Sequence, residues 1–462
     1  MNDRFDVVII GAGPAGVFAA LELSERSNLR IAIVDKGPDI ERRHCPAREP
    51  GGKCIHCDPC AIMSGWGGAG AFSDGKLTLS PAVGGRLSEI VGVDALSKLI
   101  RRVDDTYVRF GAQGPVYGTR TDEVEALEKR AALAGLRFIS VPIRHMGTER
   151  CATIMRRVRD TLLERGVTVR TRTPVDRILT ARGEVTGIET VQGDRVDADA
   201  VIVAPGREGA GWFSGVADDI GLSMGRNPVD LGVRVEVPAV VLEPITELVY
   251  ESKFIYFSKA FDDRARTFCM CPHGRVSTEF AGDVMTVNGH SFAELQTANT
   301  NFAILVSKTF TEPFDDPIAY GKSIARLANL LGDGVIVQRL GDLESGRRST
   351  PKRLSRSVVS PTLESATPGD LNLVLPYRYV VTIMEMLHAM DDVAPGVASR
   401  HTLLYGVEVK FYSCRLRLTA EMETEVENLF ACGDGAGVTR GLVQASASGL
   451  LAARAVLRRL AV

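Results

Sequence analysis

Two groups of residues near the N-terminus have the types and spacing to do chemistry. The first is Gly11-Ala12-Gly13-Pro14-Ala15-Gly16, a G-x-G-x-x-G run. Its glycines would, in order, permit a tight turn, let the backbone approach a pyrophosphate, and allow close packing of a helix on a strand. The second is a set of four cysteines, Cys45, Cys54, Cys57 and Cys60, spaced C-x8-C-x2-C-x2-C. Thiols at that spacing can ligate an iron–sulfur cluster or a zinc ion, or serve without metal as redox groups or packing.

The elements around the glycines must hold them for that chemistry. Residues 5–10 form a short apolar run suited to a buried strand, Ala15 to Glu25 read as a helix, and Leu29 to Val34 as a second strand. This is a βαβ unit with the glycine turn at its first corner. Asp35 closes the second strand, where its carboxylate can accept from a ribose hydroxyl, and Lys36 stands beside it among the expected cofactor contacts. The N–H groups and dipole at the start of the helix favour phosphate.

The C-terminus narrows the cofactor. Residues 424–434, ending in Leu429-Phe430-Ala431-Cys432-Gly433-Asp434, resemble the second FAD motif of the glutathione-reductase-like flavoproteins. That resemblance implies that Asp434 meets the ribityl–pyrophosphate region and that a helix opening near Gly441-Leu442 aims its positive end at the flavin. The run 200–207, with Ala204 and Gly206, resembles the strand-plus-glycine element returning from the inserted domain of that superfamily, and Val175 falls where such proteins contact adenine through the backbone. Gly67 to Lys76, with Gly68, Gly70, Ser73 and Asp74, resembles the glycine-rich loop that lies against the flavin ring. No second G-x-G-x-x-G follows a strand, so no dedicated nicotinamide domain is expected.

Longer motifs extend the likeness over nearly the whole chain: residues 51–60, 67–76, 268–272, 404–413 and 433–442. On these the sequence resembles a broad family of FAD-dependent dehydrogenases, neighbours of the flavoproteins related to fumarate reductase and geranylgeranyl reductase. The resemblance implies FAD and redox chemistry and no particular substrate. The fold class expected is α/β: a Rossmann-type FAD-binding domain assembled from residues 1–90, 91–215 and 401–462, with a mixed α+β substrate domain inserted at 216–400. Within the insert, helices are expected near 291–308 and 317–331, and a further helix over 379–390.

For the cysteines three readings stand side by side. A [4Fe–4S] cluster would use the C-x2-C-x2-C run with Cys45-Pro46 as the fourth ligand and would open a route for electrons from a ferredoxin or another donor. Zinc more often uses two separated C-x2-C knuckles, with His56 as a further ligand candidate. Without metal, the thiols are redox groups or packing. Cys269 and Cys271, at i and i+2 of an apparent strand, would share one face with Cα atoms roughly 6.5 Å apart, which favours packing over a disulfide.

Candidates for catalysis lie late in the chain. Glu408, Lys410 and Tyr412 alternate along one strand and so share a face. That face is either a solvated sheet surface or the polar wall of an active site, with Lys410 or Tyr412 as proton donor and Glu408 tuning it. Arg440, just before the last helix, could hold a carboxylate or stabilise the flavin. Arg347 and Arg348 are further anion-binding candidates, and His388 is more readily a packed or exposed residue than a base.

Composition excludes other classes. The chain has 462 residues, 45% hydrophobic and 24% charged, with 55 basic and 57 acidic residues, hence a net charge of −2. Nothing global marks a nucleic-acid or membrane-surface partner. No secretory signal and no apolar run of the roughly 20 residues that span a bilayer is present, so a cytoplasmic location is expected, with thiols reduced. The leading expectation is an FAD-dependent oxidoreductase acting on a small-molecule substrate. The alternative is an electron-transfer flavoprotein using a cysteine-ligated iron–sulfur cluster.

Overall fold

The computed structural model describes residues 3–46, 55, 57–73, 75–119, 121–225, 228–281, 284–290, 296–308, 310, 316–410 and 415–461. The chain divides into two compact units: residues 1–115, 144–227 and 413–462 form the first, and residues 116–143 and 228–412 the second. The borders of the second unit at 228 and 412 stand beside those expected for the inserted domain, 216 and 400. Residues 116–143 go with the second unit because Arg137–Ile139 pairs with Lys253–Phe257 at the edge of its sheet.

The first unit is built on five parallel strands in the order Thr168–Arg170, Ile31–Val34, Asp3–Ile10, Arg195–Val203 and Leu429–Ala431. The antiparallel hairpin Val175–Ala181 and Glu184–Thr190 extends the sheet from the N-terminal part of Arg195–Val203. Parallel strands must be buried on both faces, and the runs Val7–Ile10 and Ile31–Val34 are apolar and fully buried accordingly. The first helix, Pro14–Arg26, and the last, Leu442–Arg459, bury their alanine-rich faces in one core with Val7, Ile9 and Phe430. The α/β, Rossmann-type class expected of this unit is what the chain adopts.

The second unit carries an eight-stranded, mainly antiparallel sheet. Its order is Thr367–Pro368, Ile336–Arg339, Leu403–Lys410, Val229–Pro238, Asn299–Lys308, Arg264–Cys271, Lys253–Phe257 and Arg137–Ile139. The helices Pro317–Gly332 and Tyr377–Asp391 agree with expectation. The helix expected over 291–308 does not form where described. Asn299–Lys308 is a central strand that pairs with Val229–Pro238 on one side and Arg264–Cys271 on the other. Its β-branched and aromatic residues are buried on both faces, so the run has no period of two and imitates a buried helix. Among the described residues, no helix is long and apolar enough to cross a membrane.

Candidate functional site

The three glycines of the first turn behave differently. Gly11 has φ +103°, and a Cβ there would lie 2.1 Å from the Ala204 carbonyl oxygen. A Cβ at Gly16 would lie 2.0 Å from the Gly11 carbonyl oxygen. Backbone closes both positions. Gly13 has an ordinary φ of −77°, and a Cβ there would meet nothing nearer than the Gly68 Cα at 3.9 Å. Gly11 and Gly16 thus meet the steric demands of a tight turn and of close helix packing, and Gly13 leaves space between them.

Two helix N-termini meet at this opening. The first helix starts after Gly13 with Pro14 in its first turn, and the last starts after Gly441; neither has a side-chain cap. A Cβ on Gly70 would lie 2.7 Å from Pro14 Cγ and 2.9 Å from Leu442 Cδ2, so the opening residues of both helices touch one glycine. The helices also cross closely, since a Cβ on Gly449 would lie 2.0 Å from the Ala15 carbonyl oxygen. Gly68 packs on Gly13, and Gly433 on Ala15. Gly206 and Gly441, at φ +64° and +89°, have nothing within 4 Å of a would-be Cβ. The result is a cradle walled by backbone, with uncapped N–H groups and two positive dipole ends. A pyrophosphate suits this set of donors.

Asp35 sits at the edge of the cradle. Its Oδ2 accepts from Ala12 N at 2.8 Å, and its Oδ1 from Gly37 N and Gly65 N at 2.8 and 2.9 Å. Burial raises its carboxyl, against those three N–H groups and the charge of Arg43. A carboxylate can accept about four hydrogen bonds, so Oδ2 retains capacity for a hydroxyl while Asp35 also ties three loops together. Lys36, expected among the cofactor contacts, pairs with Glu208. Asp434 accepts from Thr439 Oγ1 at 2.9 Å and Gly441 N at 3.4 Å, linking the strand end to the last helix. Burial raises its carboxyl, against the charges of Arg207 and Arg440. Ser73 turns its hydroxyl onto its own loop, donating to the Gly70 carbonyl at 3.1 Å and accepting from Gly75 N at 3.2 Å. Val175 is buried at the start of its strand. Asp74 lies outside the described residues.

Arg43, missed in the sequence, anchors the segment between the cysteines and the glycine loop. It is 6% exposed and donates to the carbonyls of Ala61, Ile62 and Trp66 at 2.9, 2.6 and 2.6 Å. Burial pushes its guanidinium down to about 10. Cys45, Cys57 and Cys60 are free and partly exposed, whereas Cys54 and His56 lie outside the described residues. Among the described residues, no three His, Cys, Asp or Glu side chains are grouped to hold a metal ion.

The late-chain candidates split between the units. Glu408 and Lys410 belong to the second unit and Arg440 to the first, while Tyr412 lies outside the described residues. Glu408 is 0% exposed and Lys410 8%, so their strand face is not a solvated surface. Glu408 receives Arg234 Nη1 at 3.3 Å on both oxygens. Arg234, fully buried, also donates to Asn301 Oδ1, the Cys269 carbonyl and Cys271 Sγ at 2.8, 2.6 and 3.3 Å. Lys410 Nζ lies 3.1 Å from Glu279 and 3.3 Å from Glu408. Burial would lower the Lys410 ammonium, but the charges of Glu408 and Glu279 prevail and raise it. A lysine so held keeps its proton.

Arg234 could have been found in the sequence, as a charge alternating with Glu236 inside an apolar strand. Cys269 and Cys271 do not share a face as in a regular strand. Register shifts between Phe268 and Cys271, and Cys269 takes φ +46°. Arg347 pairs with Asp342, and His388 with Glu344, both through side chains partly open to solvent.

Families matched along the chain are consistent with the cradle. One described as FAD-dependent protein, C-terminal domain-like, covers residues 228–411. Pyridine nucleotide-disulphide oxidoreductase covers 5–55, and flavin containing amine oxidoreductase covers 116–214. A Clostridium beijerinckii protein described as uncharacterized is 25% identical over 480 residues, 98% of this chain and 80% of its own length. Similar solved structures include L-proline dehydrogenase from P. horikoshii (TM-score 0.43, 12% identity, 99% of this chain and 95% of that one). Glycine oxidase from Geobacillus kaustophilus gives a TM-score of 0.39 at 14% identity, over 99% and 95%. An E. coli quinol fumarate reductase FrdA variant gives 0.43 at 15%, over 100% and 71%.

Proposed function

We propose that this chain, which belongs among the FAD-dependent oxidoreductases, holds FAD along the glycine cradle of its first unit and acts on a small-molecule substrate. The observation that carries the reading is the contrast at the first turn: Gly11 and Gly16 are closed by backbone while Gly13 between them is open. A purely structural turn has no need of a glycine at Gly13, whose φ any residue can adopt.

Ala15 and Gly16 N–H groups, and those opening the last helix, would bind the pyrophosphate. Asp35 would accept from the adenine-side ribose, and Asp434 from the ribityl side. FAD, when bound, supplies a centre that takes up or gives back a hydride equivalent. Arg440 places a positive charge beside Asp434, where it offsets that buried carboxylate.

The test is to release cofactor from the purified protein by denaturation and identify it by chromatography and mass. FAD, or tight FAD uptake by the refolded chain, is expected. A native protein that neither carries nor takes up FAD would overturn the reading.

A further inference from the structure

We propose that Cys57 and Cys60 form a dithiol–disulfide pair that exchanges with low-molecular-weight disulfides. The inference stands apart from the FAD reading, because the exchange needs no cofactor. Two residues separate the thiols, a spacing that reads as a redox pair in a reducing compartment as readily as a half-site for metal. The geometry favours the pair. Cys57 Sγ accepts from Ala61 N at 3.4 Å, so the sulfur folds back over the turn to the amide joined directly to Cys60. Disulfides require Cβ atoms about 3.5–4.5 Å apart, and a turn of this shape brings the two side chains into the same neighbourhood.

The Cys60 half is firmly held. Its carbonyl accepts from Met63 N and Ser64 N at 3.1 and 2.9 Å. Arg43 grips the next two carbonyls, Ala61 and Ile62, and that of Trp66. Trp66 is fully buried and donates from Nε1 to the Met155 carbonyl at 2.8 Å. The buried guanidinium of Arg43 also lies near Cys60. Both residues remain partly exposed. Cys432, by contrast, is fully buried, and burial drives its thiol up to about 12. It serves as an unreactive internal reference.

The reaction balances without metal or flavin. The Cys57 sulfur attacks an external disulfide, RS–SR; the new S–S bond forms and one RS⁻ leaves. The Cys60 sulfur then attacks the Cys57 sulfur, closing the internal disulfide and expelling the second RS⁻. Each departing sulfur takes up the proton lost by a cysteine. Two protein thiols are oxidised and one external disulfide is reduced to two thiols.

The full-length protein, purified anaerobically, is equilibrated in glutathione buffers of increasing oxidised fraction, trapped with an alkylating agent, digested and mapped by mass. A Cys57–Cys60 linkage is expected to accumulate with the oxidised fraction and to vanish on return to reducing buffer, while Cys432 stays a thiol. The linkage should be absent in Cys57→Ser and in Cys60→Ser and retained in Cys45→Ser. Wild-type mapping decides the matter even if a variant fails to fold. Three outcomes overturn the proposal: both thiols alkylated at every buffer ratio, a linkage to Cys45 or Cys54 instead, or iron or zinc that co-purifies stoichiometrically and is lost in Cys57→Ser.

Discussion

The glycine cradle of the first unit and the charged cluster of the second are built on opposite principles. The cradle consists of places where a side chain is missing: Gly11, Gly16, Gly68, Gly70 and Gly449 let backbone meet backbone, and Gly13, Gly206 and Gly441 leave space. The cluster consists of side chains that neutralise one another: Arg234, Glu408 and Lys410 out of water, and Glu279, 37% exposed, at its edge. A site made of backbone holds its shape through packing and waits for a ligand's charge. A site made of buried charges must carry its own counter-charges, and removing any one leaves the others exposed to the low-dielectric interior.

That difference predicts the largest effect. Glu408→Ala leaves fully buried Arg234 without its carboxylate and strips Lys410 of one of two. Breaking a buried pair on one side costs about 3–5 kcal/mol, and denaturant unfolding of the variant should show a loss of that order. A loss below about 1 kcal/mol would mean that solvent reaches the cluster and that the contrast between the regions fails. Next comes Gly16→Ala, which drives a methyl to 2.0 Å from the Gly11 carbonyl oxygen. Backbone must shift, at about 1–3 kcal/mol as for other overpacked positions, and FAD should be lost together with stability.

The two regions were also unequally legible. The cradle's first turn is written as a local pattern, three glycines at fixed spacing between a strand and a helix, although only Gly16 answers to a near neighbour, Gly11, while Gly11 itself is closed by the distant Ala204. Asp434 and Gly441 are likewise readable, since strand, turn and helix follow one another in the chain. Gly449 gave no such signal: it is one small residue within a run of small residues, and what requires it is the Ala15 carbonyl, over 400 positions earlier. Arg43 was invisible for a similar reason, as its three acceptors are backbone carbonyls that no residue type announces. In the second unit, the alternation of Glu408 and Lys410 was visible but ambiguous. Period-two polarity marks a solvated strand face unless charges from other strands, here Arg234 and Glu279, lie across from it. The strand Asn299–Lys308 was misread because burial on both faces erases the alternation that would identify it.

Charge-built structure should further show itself in pH dependence. Asp342 of the second unit is fully buried. Burial alone would raise its carboxyl, but hydrogen bonds from Arg339, Ser349 and Arg347 outweigh it and bring it down to about 2. A carboxyl held lower in the folded state contributes stability that is fully present above its unfolded value of 3.8 and is lost as pH falls through about 2. Arg347 and Arg353 around it are 44% and 36% exposed, so solvent screening reduces the contribution to about 1 kcal/mol. Urea unfolding at a series of acid pH values should show this decline in the parent and a flatter one in Asp342→Asn. The cradle's carboxylates have the opposite sign. Asp35 and Asp434 are raised by burial, so their contribution to stability improves as pH falls toward the ordinary carboxylate range.

The smallest effect on stability is the sharpest on the comparison. Gly13→Ala adds a methyl whose nearest neighbour is 3.9 Å away, at a backbone φ of −77° that alanine adopts freely. Alanine at a compatible position also narrows the unfolded ensemble. The unfolding midpoint of the cofactor-free protein should therefore stay within about 0.5 kcal/mol of the parent. The added methyl nevertheless stands in the opening between the two helix N-termini, so FAD affinity should fall about tenfold or more, as expected when a group loses close approach to backbone donors worth about 1.5 kcal/mol or above. Paired measurements of cofactor-free stability and FAD affinity in Gly13→Ala and Gly16→Ala separate the two kinds of glycine. If both variants lose stability alike, Gly13 is a packing glycine and the cradle is merely a tight turn. If only Gly16→Ala unfolds while both lose FAD, the opening at Gly13 is kept for the ligand.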